Sequence, residues 1–151
     1  MVETTALSYE VARHAHNLPD VDHLVIQVNH PGEPKCTCAN SHTVLALSLE
    51  LDDITVSPTP VVEELLGRAP VPANRAALRH VAEEVIRLVP DECQRVVVVC
   101  PAGLSRSAAI AAAIEDFFGG CSKKYMPGKG YFPNPLVYTE FLEALRSVEK
   151  G

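Results

Sequence analysis

The sequence lacks any apolar run approaching the ~18 residues of a membrane span. Its opening segment, MVETTALSYEVARHAHNLPD, has no basic region followed by an apolar core, so no signal peptide is expected. Positive charge is also scarce: 13 Lys and Arg against 19 Asp and Glu leave a net charge of -6. That balance argues against a general affinity for nucleic acid or anionic membranes but leaves room for a local anion site. The five cysteines are odd in number, and their spacings do not form a disulfide framework. A reducing, cytoplasmic setting is the simplest reading. Internal repeats and low-complexity tracts are absent. What is present suffices for one core: of 151 residues, 47% are hydrophobic and 21% charged, so a single domain over 1-151 is expected.

Apolar runs alternate with helical patterns. HLVIQVN (23–29) and TVLALSLEL (43–51) read as strands bounded by turn residues. Prolines 58, 60, 70 and 72 break up the segment 57–72, leaving room for a short helix in VVEELLG that ends at Gly67. Asn74 suits the N-cap of a helix to Leu88, with Leu78, Val81, Val85 and Leu88 facing the core and Pro90 beyond it. RVVVVC (95–100) is apolar on both faces, as expected of a central strand in a covered parallel sheet. A helix over 106–118 follows, its alanines at 108–113 permitting close packing, and Gly119-Gly120 stops it. KKYMPGKGYFP reads as a loop, and the last helix starts with Asn134 as N-cap and Pro135 in its first turn. The fold class is therefore α/β, with a central, mostly parallel sheet flanked by helices.

One short stretch carries chemistry. Cys100 ends a strand and Arg106 opens a helix, with Pro101, Ala102, Gly103, Leu104 and Ser105 between them. Such a junction turns backbone N–H groups and the positive end of a helix toward one point, which makes an anion site. Gly103 permits the dihedrals of a tight cradle. Arg106 adds a planar fork that matches two phosphate oxygens. The same field favours a thiolate, so one turn both binds a phosphate group and supplies a nucleophile.

CPAGLSRS resembles the Cys-(five residues)-Arg-Ser signature of cysteine-dependent protein tyrosine phosphatases, in the form of the dual-specificity branch. LDDI, RSAAIAAA and PNPLVYTEFLEAL extend the resemblance, which is closest to small bacterial tyrosine phosphatase-like proteins and covers about Leu45 to Leu145. It implies a tyrosine/dual-specificity phosphatase-like fold and a phosphomonoester hydrolase acting on phosphorylated protein, or on a small phosphomonoester, without metal or other cofactor. Catalytic roles fall to Cys100 as nucleophile, Arg106 as ligand of the equatorial oxygens and Ser107 as the hydroxyl that helps the thiolate leave. Pro101, Ala102, Gly103, Leu104, Ser105 and Arg106 line the substrate phosphate, Pro101 having no N–H to give. The general acid is an upstream aspartate. The family's Asp-Ile pairing favours Asp53, 47 residues before Cys100, with Asp52 next and Glu63 or Glu64 behind them.

The family has a histidine directly before the cysteine; this chain has Val99. Without that brace the thiolate is expected to be less strongly favoured. The alternative function is a phosphate-binding module with little or no turnover, and a sulfur or arsenic enzyme ranks last. Elsewhere, His30, Cys36, Cys38 and His42 fit no standard zinc spacing and read as a surface loop. Lys123, Lys124 and Lys129 read as a solvated loop rather than a basic rim. Cys93 and Cys121 read as packing residues, the other reading being a protective disulfide with Cys100.

Overall fold

Valine-rich runs suit the pleated sheet better than the helix, and they become strands. The computed structural model describes residues 1–53 and 75–150. Its sheet contains β1 (Glu3–Ser8), β2 (His23–Asn29), β3 (Thr43–Glu50) and β4 (Arg95–Cys100). Their order is β1-β4-β2-β3 and every pairing is parallel. RVVVVC is thus central, flanked by β1 and β2, as its two-sided apolar character requires. The α-helices described are α1 (Tyr9–Ala12), α2 (Arg75–Leu88), α3 (Arg106–Phe117) and α4 (Pro135–Lys150), with short 3-10 turns at Ala15–Asn17, Ser122–Tyr125 and Pro127–Lys129. The expected helix near 61–67, the Asn74 cap, Glu63 and Glu64 lie outside the described residues.

β1 had no counterpart in the sequence reading. ETTALS hides its pattern behind threonines, yet Thr4 and Ala6 point inward while Glu3 and Thr5 face solvent. It adds to β4 in register, Ser8 opposite Cys100.

The valines of β4 divide between two cores. Val96 and Val98 pack with Leu24, Ile26, Leu78, Val85, Ile110 and Phe141 under α2, α3 and α4. Val97 and Val99 face the other way, against Val25, Ala12, Leu18 and Cys38. Burying each such side chain stabilises the fold by roughly 1.5–3 kcal/mol. The α2 residues Leu78, Val81, Val85 and Leu88 are all buried, as their spacing predicts. α3 is buried from Arg106 through Glu115, so its alanines do allow close packing. It ends at Phe117, followed by Gly119 at φ 77°. Gly120 N–H donates to the Glu115 carbonyl (2.7 Å) and Gly119 N–H to that of Asp116 (3.4 Å), the paired bonds of a glycine C-cap. Asn134 caps α4 through Oδ1, which accepts from the N–H groups of Leu136 (3.0 Å) and Val137 (3.2 Å).

Three expectations need correction. Lys124 is exposed, but it is not merely a solvated loop lysine: its ammonium donates to Glu115 Oε2 (2.8 Å) and to the Thr4 carbonyl (2.7 Å), and Tyr125 beside it is buried. A buried carboxylate draws in the ammonium of a lysine whose stem stays in contact with water. Cys38 is no surface residue; its N–H donates to Gln27 Oε1 (3.0 Å) and its side chain joins the core beneath Val99, while Cys36 stays exposed. Cys121 is exposed rather than packed, whereas Cys93 does join the core. Cys93 precedes the start of β4 and Cys121 follows the far end of α3, so neither sits at the Cys100 end of the strand.

Candidate active site

A parallel sheet brings the carboxyl ends of all its strands to one edge, and loops after those ends build ligand sites. Here that edge carries Ser8, His30, the Leu51–Asp53 segment and Cys100. Cys100 is buried at the tip of β4. Its Sγ accepts the Gly103 N–H (3.2 Å) and shares a hydrogen bond with the Ser107 hydroxyl (3.1 Å). The amide and the hydroxyl are the donors that a thiolate in this position would draw on.

Gly103 has φ 74°, and a Cβ there would lie 2.3 Å from Ser8 N and 2.6 Å from the Leu7 carbonyl carbon. The turn is therefore pressed against the end of β1 as well as growing out of β4. Within it, Pro101 and Ser105 are half-buried, and Ala102 and Leu104 are exposed. The other side is stitched to the segment before α4. Phe132 N–H donates to the Leu104 carbonyl (2.8 Å), and Asn134 N–H to the Ser105 carbonyl (3.2 Å).

Ser105 occupies the N-cap position of α3 but makes no side-chain cap bond. Its hydroxyl donates to Asp53 Oδ1 instead (2.8 Å). A serine hydroxyl that would otherwise cover the first amides of the helix is thus drawn aside, and the amide end of α3 stays directed at the turn. Asp53 Oδ1 accepts a second bond from Asn134 Nδ2 (2.7 Å). So Asp53, Ser105 and Asn134 meet at the rim, with Asp53 exposed; Asp52 is buried.

Arg106 is only 4% exposed. Its Nη1 donates to the Leu51 carbonyl (2.7 Å) and lies 3.4 Å from His30 Nδ1. Its Nε is buried and has no hydrogen-bond partner among the described residues. A buried donor left unmade costs about 1–3 kcal/mol, more on a charged group. An anion bound in the turn is the natural partner for such a group.

The structure thus brings Cys100, Ser107, Arg106, Ser105 and Asp53 to one edge. Among the described residues no group of three or more His, Cys, Asp or Glu side chains is placed to hold a metal ion. No helix among the described residues is long and apolar enough to cross a membrane. Two site residues escaped the sequence reading in their present roles. His30 reads in the sequence as part of a surface loop, and Asn134 as a cap. Their signal is positional, since His30 directly follows a strand next to β4.

This architecture, a parallel sheet whose central strand ends in the cysteine of a Cys-(five residues)-Arg turn, is the dual-specificity phosphatase fold. One solved relative in structure is human tyrosine phosphatase-like serine/threonine/tyrosine-interacting protein. It has a TM-score of 0.55 and 20% identity, and the match covers 97% of this chain and 91% of that one. Another is PTPMT1 in complex with PI(5)P, with a TM-score of 0.54, 19% identity, and coverage of 98% and 93%. Neither the protein-family models nor the curated proteins give a match to the sequence.

Proposed function

We propose that the protein hydrolyses phosphomonoesters through a cysteinyl-phosphate on Cys100, with phosphotyrosine or phosphoserine/threonine in proteins as substrates. The observation that carries this reading is the buried, unpartnered Nε of Arg106 in the turn that holds the Cys100 thiol. The amides from Ala102 onward and the Arg106 fork hold the phosphoryl oxygens. The Cys100 thiolate attacks phosphorus; the bond to the ester oxygen breaks, and Asp53 delivers a proton to that oxygen. Asp53 then takes a proton from water as the water oxygen attacks phosphorus. The sulfur–phosphorus bond breaks, inorganic phosphate leaves, and the Ser107 hydroxyl donates to the departing thiolate. The Asp53 carboxylate next to Ser105, inside the turn, supports its role as acid.

Val99 favours a second reading, a phosphate-binding module with little or no turnover. Its side chain is fully buried in the apolar cluster on the opposite face of the sheet, so it offers the turn no hydrogen bond. Hydrolysis of para-nitrophenyl phosphate by the wild type, Cys100→Ser, Arg106→Ala and Asp53→Ala separates the two. Hydrolysis should vanish in Cys100→Ser and Arg106→Ala. Asp53→Ala should lose far more with an alkyl phosphate than with this activated aryl ester, since general acid catalysis contributes roughly 10²–10⁴-fold to a poor leaving group. Activity surviving Cys100→Ser would sink the mechanism. A wild type that binds phosphate or vanadate without turnover would establish the binding module.

A further inference from the structure

We infer that His30 is a positioning residue for Arg106: its ring accepts a hydrogen bond from one arm of the guanidinium and so turns the remaining donors toward the bound oxyanion. The inference rests on the phosphate-binding reading of the turn. A guanidinium has five N–H donors and no acceptor. On Arg106, Nη1 is engaged with the Leu51 carbonyl at 2.7 Å and stands 3.4 Å from His30 Nδ1. Nε, by contrast, is buried and unpartnered among the described residues. One arm is held, and the edge that matches two phosphate oxygens is not.

Arginine donates at every accessible pH, so Nδ1 of His30 has to be the acceptor. In that contact the Nδ1 lone pair faces Arg106, which leaves Nε2 as the ring's donor. A protonated ring in this place would offer a second cation and no lone pair. Position supports the geometry. His30 directly follows β2, and its carbonyl accepts the Glu33 N–H (3.1 Å), which closes a tight turn and fixes the backbone below the ring. Leu51 follows β3, and its own N–H donates to the Asn29 carbonyl (3.2 Å). The two acceptors of Nη1 therefore belong to adjacent strand ends that are bonded to each other, a rigid mount on which the guanidinium is aimed. Both residues act through Arg106.

The test measures inorganic phosphate binding by calorimetry, and para-nitrophenyl phosphate turnover where it is present, for four variants whose folding is monitored by thermal melting. His30→Ala removes the acceptor and should weaken phosphate binding about tenfold, the lower end for a hydrogen bond to a charged group. His30→Asn restores a short acceptor and should recover most of that loss. His30→Lys places a cation against Arg106 and should bind phosphate more weakly than His30→Ala. Arg106→Ala should abolish binding. Phosphate affinity in a folded His30→Ala equal to that of the wild type would overturn the inference. So would tighter binding by His30→Lys, which would make the ring a direct cationic ligand. Undiminished binding by Arg106→Ala would instead overturn the reading of the turn itself, so the two failures are distinct.

Discussion

Replacing Gly103 by alanine tests the claim that the turn is pressed onto β1. Two costs separate cleanly. The first is conformational: at φ 74° a side chain occupies the left-handed region, which costs roughly 1–2 kcal/mol for an ordinary residue. The second is steric. The new methyl would sit 2.3 Å from Ser8 N, 2.6 Å from the Leu7 carbonyl carbon and 2.8 Å from Ser8 Cα. All three are backbone atoms of a strand paired along its length with β4, so no side-chain rotation relieves the contact. Overpacking of this kind costs about 1–3 kcal/mol or more. Gly32 supplies the internal control: it has φ 77°, yet a methyl there meets nothing within 4 Å. Gly32→Ala should show the conformational cost alone, and Gly103→Ala a further loss of about 2 kcal/mol. Urea unfolding of both variants, read at constant slope, gives the difference directly. Phosphate binding by Gly103→Ala should fall as well, since the Gly103 N–H has to move from Cys100 Sγ. Equal losses in the two variants would refute the close approach of the turn to β1.

Three further outcomes follow from the same geometry. Val99→His should destabilise the fold by roughly 2 kcal/mol or more in denaturant unfolding, because the ring enters a sealed apolar cluster; unchanged stability would mean that a polar partner is available there. Burial works to raise the Glu115 carboxyl, but bonds from Lys124 and Thr4 outweigh it and hold it below the usual carboxylate range. A lowered carboxyl contributes stability above its unfolded value, near ~4.3, that is lost as pH falls through the folded one. Glu115→Gln should therefore be less stable than wild type at neutral pH and lose less between about pH 5 and 3; parallel acid curves would contradict the assignment. Asn134→Ala removes the α4 cap and should cost about 1 kcal/mol or more in thermal unfolding, with a stability equal to wild type counting against the capping role.

Much of this was legible because each element obeys one dominant period. β4 is a valine run and β2 is mostly apolar and buried along its whole length, and both bounds fall where the sequence puts them; α2 repeats apolar residues every three or four positions. The strand–turn–helix at 100–106 was legible because its residue types serve a single geometry: glycine for a positive φ, arginine for a fork of donors. β1 was not legible, since an edge strand of threonines and alanine has too little apolar contrast and takes its structure from β4. Lys124 was misread because its partner, Glu115, lies in another element, and only tertiary packing brings the two together. His30 and Asn134 share that cause: each gains its role from a strand end or turn distant in sequence.

The Oδ1 atom of Asp53 is a junction of three chain segments, since Ser105 and Asn134 both donate to it. Its consequence is evolutionary. Any exchange of Asp53 for a residue without an acceptor removes a bond from two segments at once, one in the phosphate turn and one at the start of α4. Positions 53, 105 and 134 should therefore show strong epistasis. A library that varies them together will contain folded, functional combinations that single-site scans condemn, and acidic chemistry at this rim is most readily moved or lost by concerted change.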